Sequence, residues 1–220
     1  MSLAGIVALG LVQGSLAAFD ALGLVLLFRT TRVVNLAQPS LGLVGGVLTG
    51  LLVTAAGWSF WWAAPVGVVT GALLGMATDR IVMRRLAEAP RAVVLVATVG
   101  LAQIFGVIAV ALPFVFSGPL PTYPIDLGFT VDLFPVRLLG PHLLVLMMLP
   151  VAWGGTHLFL HRTRFGLAAL ALGQESDRAR ALGVPVAAVR AVVWSVAGVL
   201  ASIGGILSIP VLGFNLGGAL

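Results

Sequence analysis

A single carboxylate within the first apolar run is the most unusual side chain in the sequence. Asp20 lies inside residues 3–28, and Gln13 and Ala17 fall on the same helix face, with Gly10 one turn beyond them. A charge in such an apolar segment is costly and normally faces the interior of a helix bundle. The stripe predicts either a polar lining of a path between helices or a carboxyl group that is hydrogen-bonded between helices.

The other candidates for chemistry fall short of what an enzyme needs. His157 and His161 are one helical turn apart, which suits metal ligands, but their flanks are apolar and no acidic residue lies between them. The sequence has no cysteine and no lysine, and it lacks the phosphate-binding loop, the nucleophile elbow and the zinc-protease motif. We therefore expect no catalytic residue, no metal site and no cofactor bound by this chain.

The composition places these side chains in a membrane. The 220 residues are 60% hydrophobic and 9% charged, whereas a soluble domain has about 25% charged residues. Six apolar segments approach the length that crosses a hydrocarbon core of about 30 Å. They are residues 3–28, 36–55, 59–78, 92–116, 143–160 and 191–212. We predict an all-α, polytopic bundle of about six transmembrane helices, forming a single domain over residues 1–220.

The arginines give this bundle an orientation. If the segments alternate in direction, the first, third and fifth loops share one side, and eleven of the 12 basic residues lie there. Basic residues concentrate in cytoplasmic loops, so we predict that these loops are cytoplasmic and that the N-terminus is outside. A nucleic-acid surface is not expected, because it needs basic residues gathered on a water-facing patch. The eleven are Arg29, Arg32, Arg80, Arg84, Arg85, Arg91, Arg162, Arg164, Arg178, Arg180 and Arg190.

Small residues recur at helical spacing in three of the segments. Such stripes let neighbouring backbones approach closely, so they predict tightly packed helix pairs. The stripes are Gly42, Gly46 and Gly50; Gly67, Gly71 and Gly75; and Ser195, Gly198, Ser202 and Gly205.

The fifth loop, residues 161–190, has the most informative pattern outside the apolar segments. Apolar residues recur near helical spacing between polar ones, and Gly183 followed by Pro185 is typical of a helix end. The pattern predicts a short amphipathic helix. That helix would either lie on the membrane surface, held by arginines against anionic lipid, or dock a cytoplasmic partner.

Three stretches resemble the permease subunits of branched-chain amino-acid ABC transporters. Residues 163–166 (Thr-Arg-Phe-Gly) and 174–184 (Gln-Glu-Ser-Asp-Arg-Ala-Arg-Ala-Leu-Gly-Val) look like the coupling loop of that family. Residues 28–38 (Phe-Arg-Thr-Thr-Arg-Val-Val-Asn-Leu-Ala-Gln) are similar to its segment after the first span. Residues 79–82, 84–86 and 95–101 are similar to its third loop and the helix that follows.

The resemblance implies partners, a location and roles for named residues. The partners would be a second related permease, two cytoplasmic ATPases that bind the ATP, and an extracytoplasmic solute-binding protein. The location would be the cell membrane of a prokaryote. Solutes in the family are leucine, isoleucine, valine and relatives, with amide and urea transporters nearby. The residues expected to contact the ATPase are Gln174, Glu175, Ser176, Arg178, Ala179, Leu182 and Gly183, and those expected along the solute path are Asp20, Asn35 and Gln38.

The sequence also departs from the family and leaves other functions open. Asp20 stands where the family is usually apolar, and Pro39 stands where it usually has glycine. Family members normally continue with further glycine-rich spans, so we expect that this chain is truncated at its C-terminal end. The alternatives are a secondary transporter or channel that needs no ATP, and a truncated membrane scaffold that transports nothing.

Overall fold

The described part of the chain is almost wholly helical. A computed structural model describes residues 3–116, 123–125, 131–133, 136–138 and 140–213. Strands β1 and β2 pair antiparallel, with Val131 opposite Leu138. The predicted all-α bundle is therefore confirmed, with one short hairpin added. The elements in chain order are α1 Leu3–Thr31, α2 Gln38–Thr54, α3 Phe60–Thr78, a π-helical turn Asp79–Met83, α4 Arg91–Val115, β1 Val131–Leu133, β2 Val136–Leu138, α5 Gly140–Arg162, α6 Arg164–Gln174, α7 Ser176–Ala181 and α8 Val186–Leu212.

The described residues contain one fewer helix of membrane-spanning length than the six segments predicted. Among the described residues, α1, α3, α4, α5 and α8 are long and apolar enough to cross. The second predicted span forms α2, which has only 17 residues and is therefore about 25 Å long. Hydropathy overestimated its length because Leu36 and Ala37 belong to the preceding loop, and Pro39 fixes the first turn of the helix.

Helix α8 lies at the centre of the bundle. It packs against α1, α2 and α3, and the side chain of Trp194 on α8 is 1% exposed. Helix α2 is also buried over most of its length, between α8, α3 and α4. By contrast, α4 and α5 carry many exposed apolar side chains, as expected of helices that face lipid.

The predicted small-residue stripes form the seams between α8 and its neighbours. A Cβ atom at Gly75 would overlap the carbonyl group of Trp194, and a Cβ atom at Gly42 would overlap that of Ala201. Gly198 meets the backbone of Gly71 in the same way. The prediction of close backbone approach is confirmed at these positions, where only glycine leaves enough room.

The arginine-rich loops meet at one end of the bundle, as the alternation of segments predicted. From the first loop, the Arg32 Nε donates to the Gly173 carbonyl oxygen at 2.9 Å. From the third loop, the Arg84 Nη2 donates to the Ala187 carbonyl oxygen at 2.8 Å. These bonds tie the first loop to the end of α6 in the fifth loop, and the third loop to the start of α8.

Aromatic residues mark the opposite end. The Tyr123 hydroxyl group donates to the Ile206 carbonyl oxygen at 2.6 Å, and its ring stacks on Phe60 at the start of α3. Burial raises the pKa of Tyr123, in keeping with a phenol that donates this bond. Trp58, Trp61 and Trp62 are exposed at the same end, where tryptophan suits the boundary between lipid and water.

Candidate functional site

Helix α6 forms the first half of the predicted docking loop and is fixed to the bundle. Its N-terminus is capped by Thr163, whose Oγ1 accepts a hydrogen bond from the Gly166 N–H at 3.0 Å. Its inner face buries Ala169, and at Gly173 its backbone lies against that of Arg29 in α1. Helix α6 is therefore amphipathic, as predicted, and lies across the ends of α1 and α5.

The loop does not form one continuous helix: where a single short amphipathic helix was predicted over this loop, the structure has two, α6 and the shorter α7 within residues 174–183. Glu175 has φ −141° and ψ 96°, which ends α6, and its carbonyl oxygen accepts from the Ala179 N–H to begin α7. The Glu175 carboxylate also pairs with Arg178 at 3.1 Å. The break follows the contact of Gly173 with α1, which fixes the end of α6.

The predicted stop after this segment is confirmed. Helix α7 ends at Ala181, Gly183 adopts φ 81°, and Pro185 precedes the first residue of α8. A positive φ favours glycine at this position because other residues meet a steric penalty there. Helix α7 is thus joined to the central helix α8 through a tight turn.

The residues predicted to contact an ATPase divide into one buried and several exposed positions. Ala179 is 4% exposed and anchors α7. Leu182, by contrast, is 79% exposed at the tip of the segment. Its neighbours Glu175 and Arg178 are charged and exposed, and they form an ion pair. Gln174, Glu175, Arg178 and Gly183 are exposed too, while the side chain of Ser176 lies outside the described residues.

A buried ion cluster beside this segment was missed from the sequence. The Asp79 carboxylate is fully buried and accepts from the Arg190 Nη2 at 3.0 Å and from the Arg84 Nε at 3.3 Å. The π-helical turn places Arg84, five residues on, beside Asp79. The cluster joins the end of α3 to the start of α8. An acidic residue among arginines was the available signal, but the partner Arg190 is 111 residues away.

Asn35 and Gln38, proposed along the solute path, form a buried network at the start of α2. The Asn35 Nδ2 donates to the Gln38 Oε1 at 3.2 Å, and its Oδ1 accepts from the Ala37 N–H at 3.1 Å. The Gln38 Nε2 donates to the Ala197 carbonyl oxygen on α8 at 2.8 Å. These bonds satisfy the buried amides and fix α2 against α8.

Asp20 lines a cavity of about 270 Å³ between α1, α2 and α8. Gln13 and Ala17 line it as well, so the predicted stripe does share one surface. Ser208 on α8 adds a hydroxyl group, and Pro39 contributes from α2. Within the described residues no hydrogen bond or ion pair reaches the Asp20 carboxylate, which leaves it directed at this space.

The two histidines lie in an aromatic row on α5. The rings of His157 and His161 are 4.5 Å apart, and Trp153 stacks on His157 at 5.8 Å. No group of three or more potential ligands is positioned to hold a metal ion within the part of the chain that the structure describes.

Comparison with known proteins identifies the family. A family model described as "Branched-chain amino acid transport system / permease component" matches residues 6–216. The chain is 28% identical over 211 residues to the "Probable branched-chain amino acid transport permease protein LivH" of Methanocaldococcus jannaschii. That alignment covers 89% of this chain and 62% of the relative, so the chain spans less than two thirds of the relative's length. No solved structure gives a significant match. Since the family match extends over nearly the whole chain, this multi-pass membrane protein belongs to the family of branched-chain amino acid transport permeases.

Proposed function

We propose that the chain is a membrane-spanning subunit of an ATP-binding-cassette importer for branched-chain or related hydrophobic amino acids. Separate ATPase subunits would bind the ATP and drive alternating access. Family membership and the name of the relative from Methanocaldococcus jannaschii support the solute class. The chain has no lysine for a phosphate-binding loop, which fits an ATPase carried by another subunit.

The observation that carries the proposal is the exposed α6–α7 segment at the arginine-rich end. Leu182 forms an apolar tip there, flanked by the exposed pair Glu175 and Arg178. Charged groups around an apolar centre suit a specific protein contact, because the apolar centre supplies binding energy and the charges fix orientation.

The same segment is connected to the bundle at two points. The contact at Gly173 ties it to α1, and the turn at Gly183 leads directly into α8. Beyond that turn, Arg190 pairs with buried Asp79 at the end of α3. An ATPase that moved α7 would therefore move α8 and α3 with it, and α8 packs on most of the other spans.

The proposed transport path includes the cavity that Asp20 lines. A cavity between spans with a few polar side chains in its lining suits a solute that carries charged groups across an apolar layer. Asn35 and Gln38 would act indirectly, because they hold α2, which lines that cavity, against α8. A second related permease and an extracytoplasmic binding protein complete the proposed assembly, in the cell membrane of a prokaryote with the N-terminus outside.

Cross-linking of the assembled transporter tests the docking surface. The sequence has no cysteine, so Leu182→Cys introduces a unique thiol at the exposed tip. We expect it to cross-link to the ATPase, whereas Leu73→Cys, which is exposed on α3 among the apolar residues, gives none. Uptake of radiolabelled leucine into proteoliposomes that contain all subunits should require ATP.

Either of two results would overturn the proposal. If Leu182→Cys cross-links no better than Leu73→Cys, the segment does not dock the ATPase. If leucine uptake proceeds equally without ATP, the protein is a secondary transporter or a channel.

A further inference from the structure

A second cavity lies at the arginine-rich end, apart from both the Asp20 cavity and the α7 tip. It has a volume of about 380 Å³ and lies between the end of α1, the first and third loops and the start of α4. Arg32, Arg91 and Arg190 line it together with apolar side chains that include Phe28 and Leu95. The transport function proposed above gives this space no role.

The cavity has an excess of positive charge. Asp79 balances only part of it, because this one carboxylate is shared between Arg190 and Arg84. Arg91 is exposed and has no ion pair with any described residue. Glu88 is close in sequence but does not line the cavity. An anion that entered would meet uncompensated guanidinium groups.

The guanidinium group of Arg32 contributes to this positive charge and has donors available to an anion. Arg32 has φ 57°, which is uncommon outside glycine, and it terminates α1. Its Nε is used on the Gly173 carbonyl oxygen, which leaves the two terminal nitrogens of the guanidinium group for another acceptor. Guanidinium groups present paired donors that match the oxygen atoms of a phosphate.

The apolar side of the cavity continues onto surface that faces lipid. Phe28 is 46% exposed and Leu95 is 44% exposed. Val34, which also lines the cavity, is 39% exposed. The cavity therefore lies where hydrocarbon gives way to the headgroup layer, with charge on one side and apolar surface on the other.

We propose that this cavity binds an anionic phospholipid. Its phosphate would lie among Arg32, Arg91 and Arg190, and its acyl chains along the exposed faces of α1 and α4. Basic pockets between transmembrane helices suit such headgroups. The bound lipid would join the first and third loops beside the arginine that anchors α8.

Lipid retention by the whole transporter tests this site. The complex is purified from vesicles of phosphatidylglycerol and phosphatidylethanolamine, and the bound lipid is counted by native mass spectrometry. We expect Arg91→Gln to weaken phosphatidylglycerol binding about fivefold, the effect of one basic residue at an anionic surface. Arg91→Lys should retain part of the binding. Arg80→Gln is the matched control, because Arg80 is exposed at the same end but does not line the cavity.

The outcomes separate a specific lipid from weaker explanations. Equal losses in Arg91→Gln and Arg80→Gln would show general surface attraction and overturn the site. Unchanged binding in Arg91→Gln would overturn it as well. Inorganic phosphate is the competitor that distinguishes the two sources of the anion. If millimolar phosphate displaces phosphatidylglycerol completely, the cavity is a site for free anions, and the assignment to lipid is wrong.

Discussion

At the residue scale, one carboxylate holds together parts of the chain that are distant in sequence. Asp79 is fully buried and is paired with Arg190, whose side chain is 19% exposed. Burying charges is costly, but removing one partner of a buried pair costs more, because the other charge then remains without compensation. The pair therefore holds α3 and α8 in one relative position.

Asp79→Asn should destabilise the protein by about 3–5 kcal/mol, the usual loss when a buried ion pair is broken on one side. The melting temperature of the purified protein measures this loss. Glu88→Gln removes an exposed carboxylate from the same loop and should leave the melting temperature nearly unchanged. The double variant Asp79→Asn with Arg190→Gln should recover part of the loss. Equal melting temperatures for Asp79→Asn and Glu88→Gln would contradict the structural role of the cluster.

At the element scale, sequence patterns predicted the features that depend on residues within a single helix. Hydropathy located the apolar segments, and the glycine stripes located the seams of α8, since both depend on residue types along one helix. The break at Glu175 escaped prediction because it follows from the packing of Gly173 against α1, over 140 residues away in sequence. The buried bonds of Gln38 were missed for the same reason, because their acceptor lies on α8.

The seam between α3 and α8 gives a prediction at this scale. Gly75→Ala places a methyl group on the Trp194 carbonyl and should cost about 1–3 kcal/mol, as overpacking does. Gly155→Ala is the matched control on α5, where nothing lies within 4 Å of the added atom. That change should be neutral or slightly stabilising, because alanine favours helix more than glycine does. Unfolding in denaturant compares the two variants, and a smaller loss at Gly75 than at Gly155 would contradict the seam.

At the scale of the whole molecule, the two ends of the bundle differ in chemistry. Arginines from three loops are gathered at one end, while Trp58, Trp61 and Trp62 occupy the other. The excess of basic residues predicts that the first end faces the cytoplasm. The proposed contact with an ATPase depends on that orientation.

Labelling with a membrane-impermeant maleimide tests the orientation. Ser59→Cys, which is exposed at the tryptophan end, should react in intact cells. Leu182→Cys should react only in inside-out vesicles or after the membrane is permeabilised. Reaction of Leu182→Cys from the outside of intact cells would invert the bundle and remove the basis for coupling to a cytoplasmic motor.

The tryptophans and arginines also restrict how such a bundle can move. Indole rings prefer one depth at one boundary of the membrane, and guanidinium groups prefer another depth at the opposite boundary. A vertical piston stroke would push one set into hydrocarbon and pull the other into water. Tilting or rotation about an in-plane axis keeps both sets near their preferred depths. The alternating access proposed above should therefore proceed by rocking of helices about α8, against which α1, α2 and α3 pack.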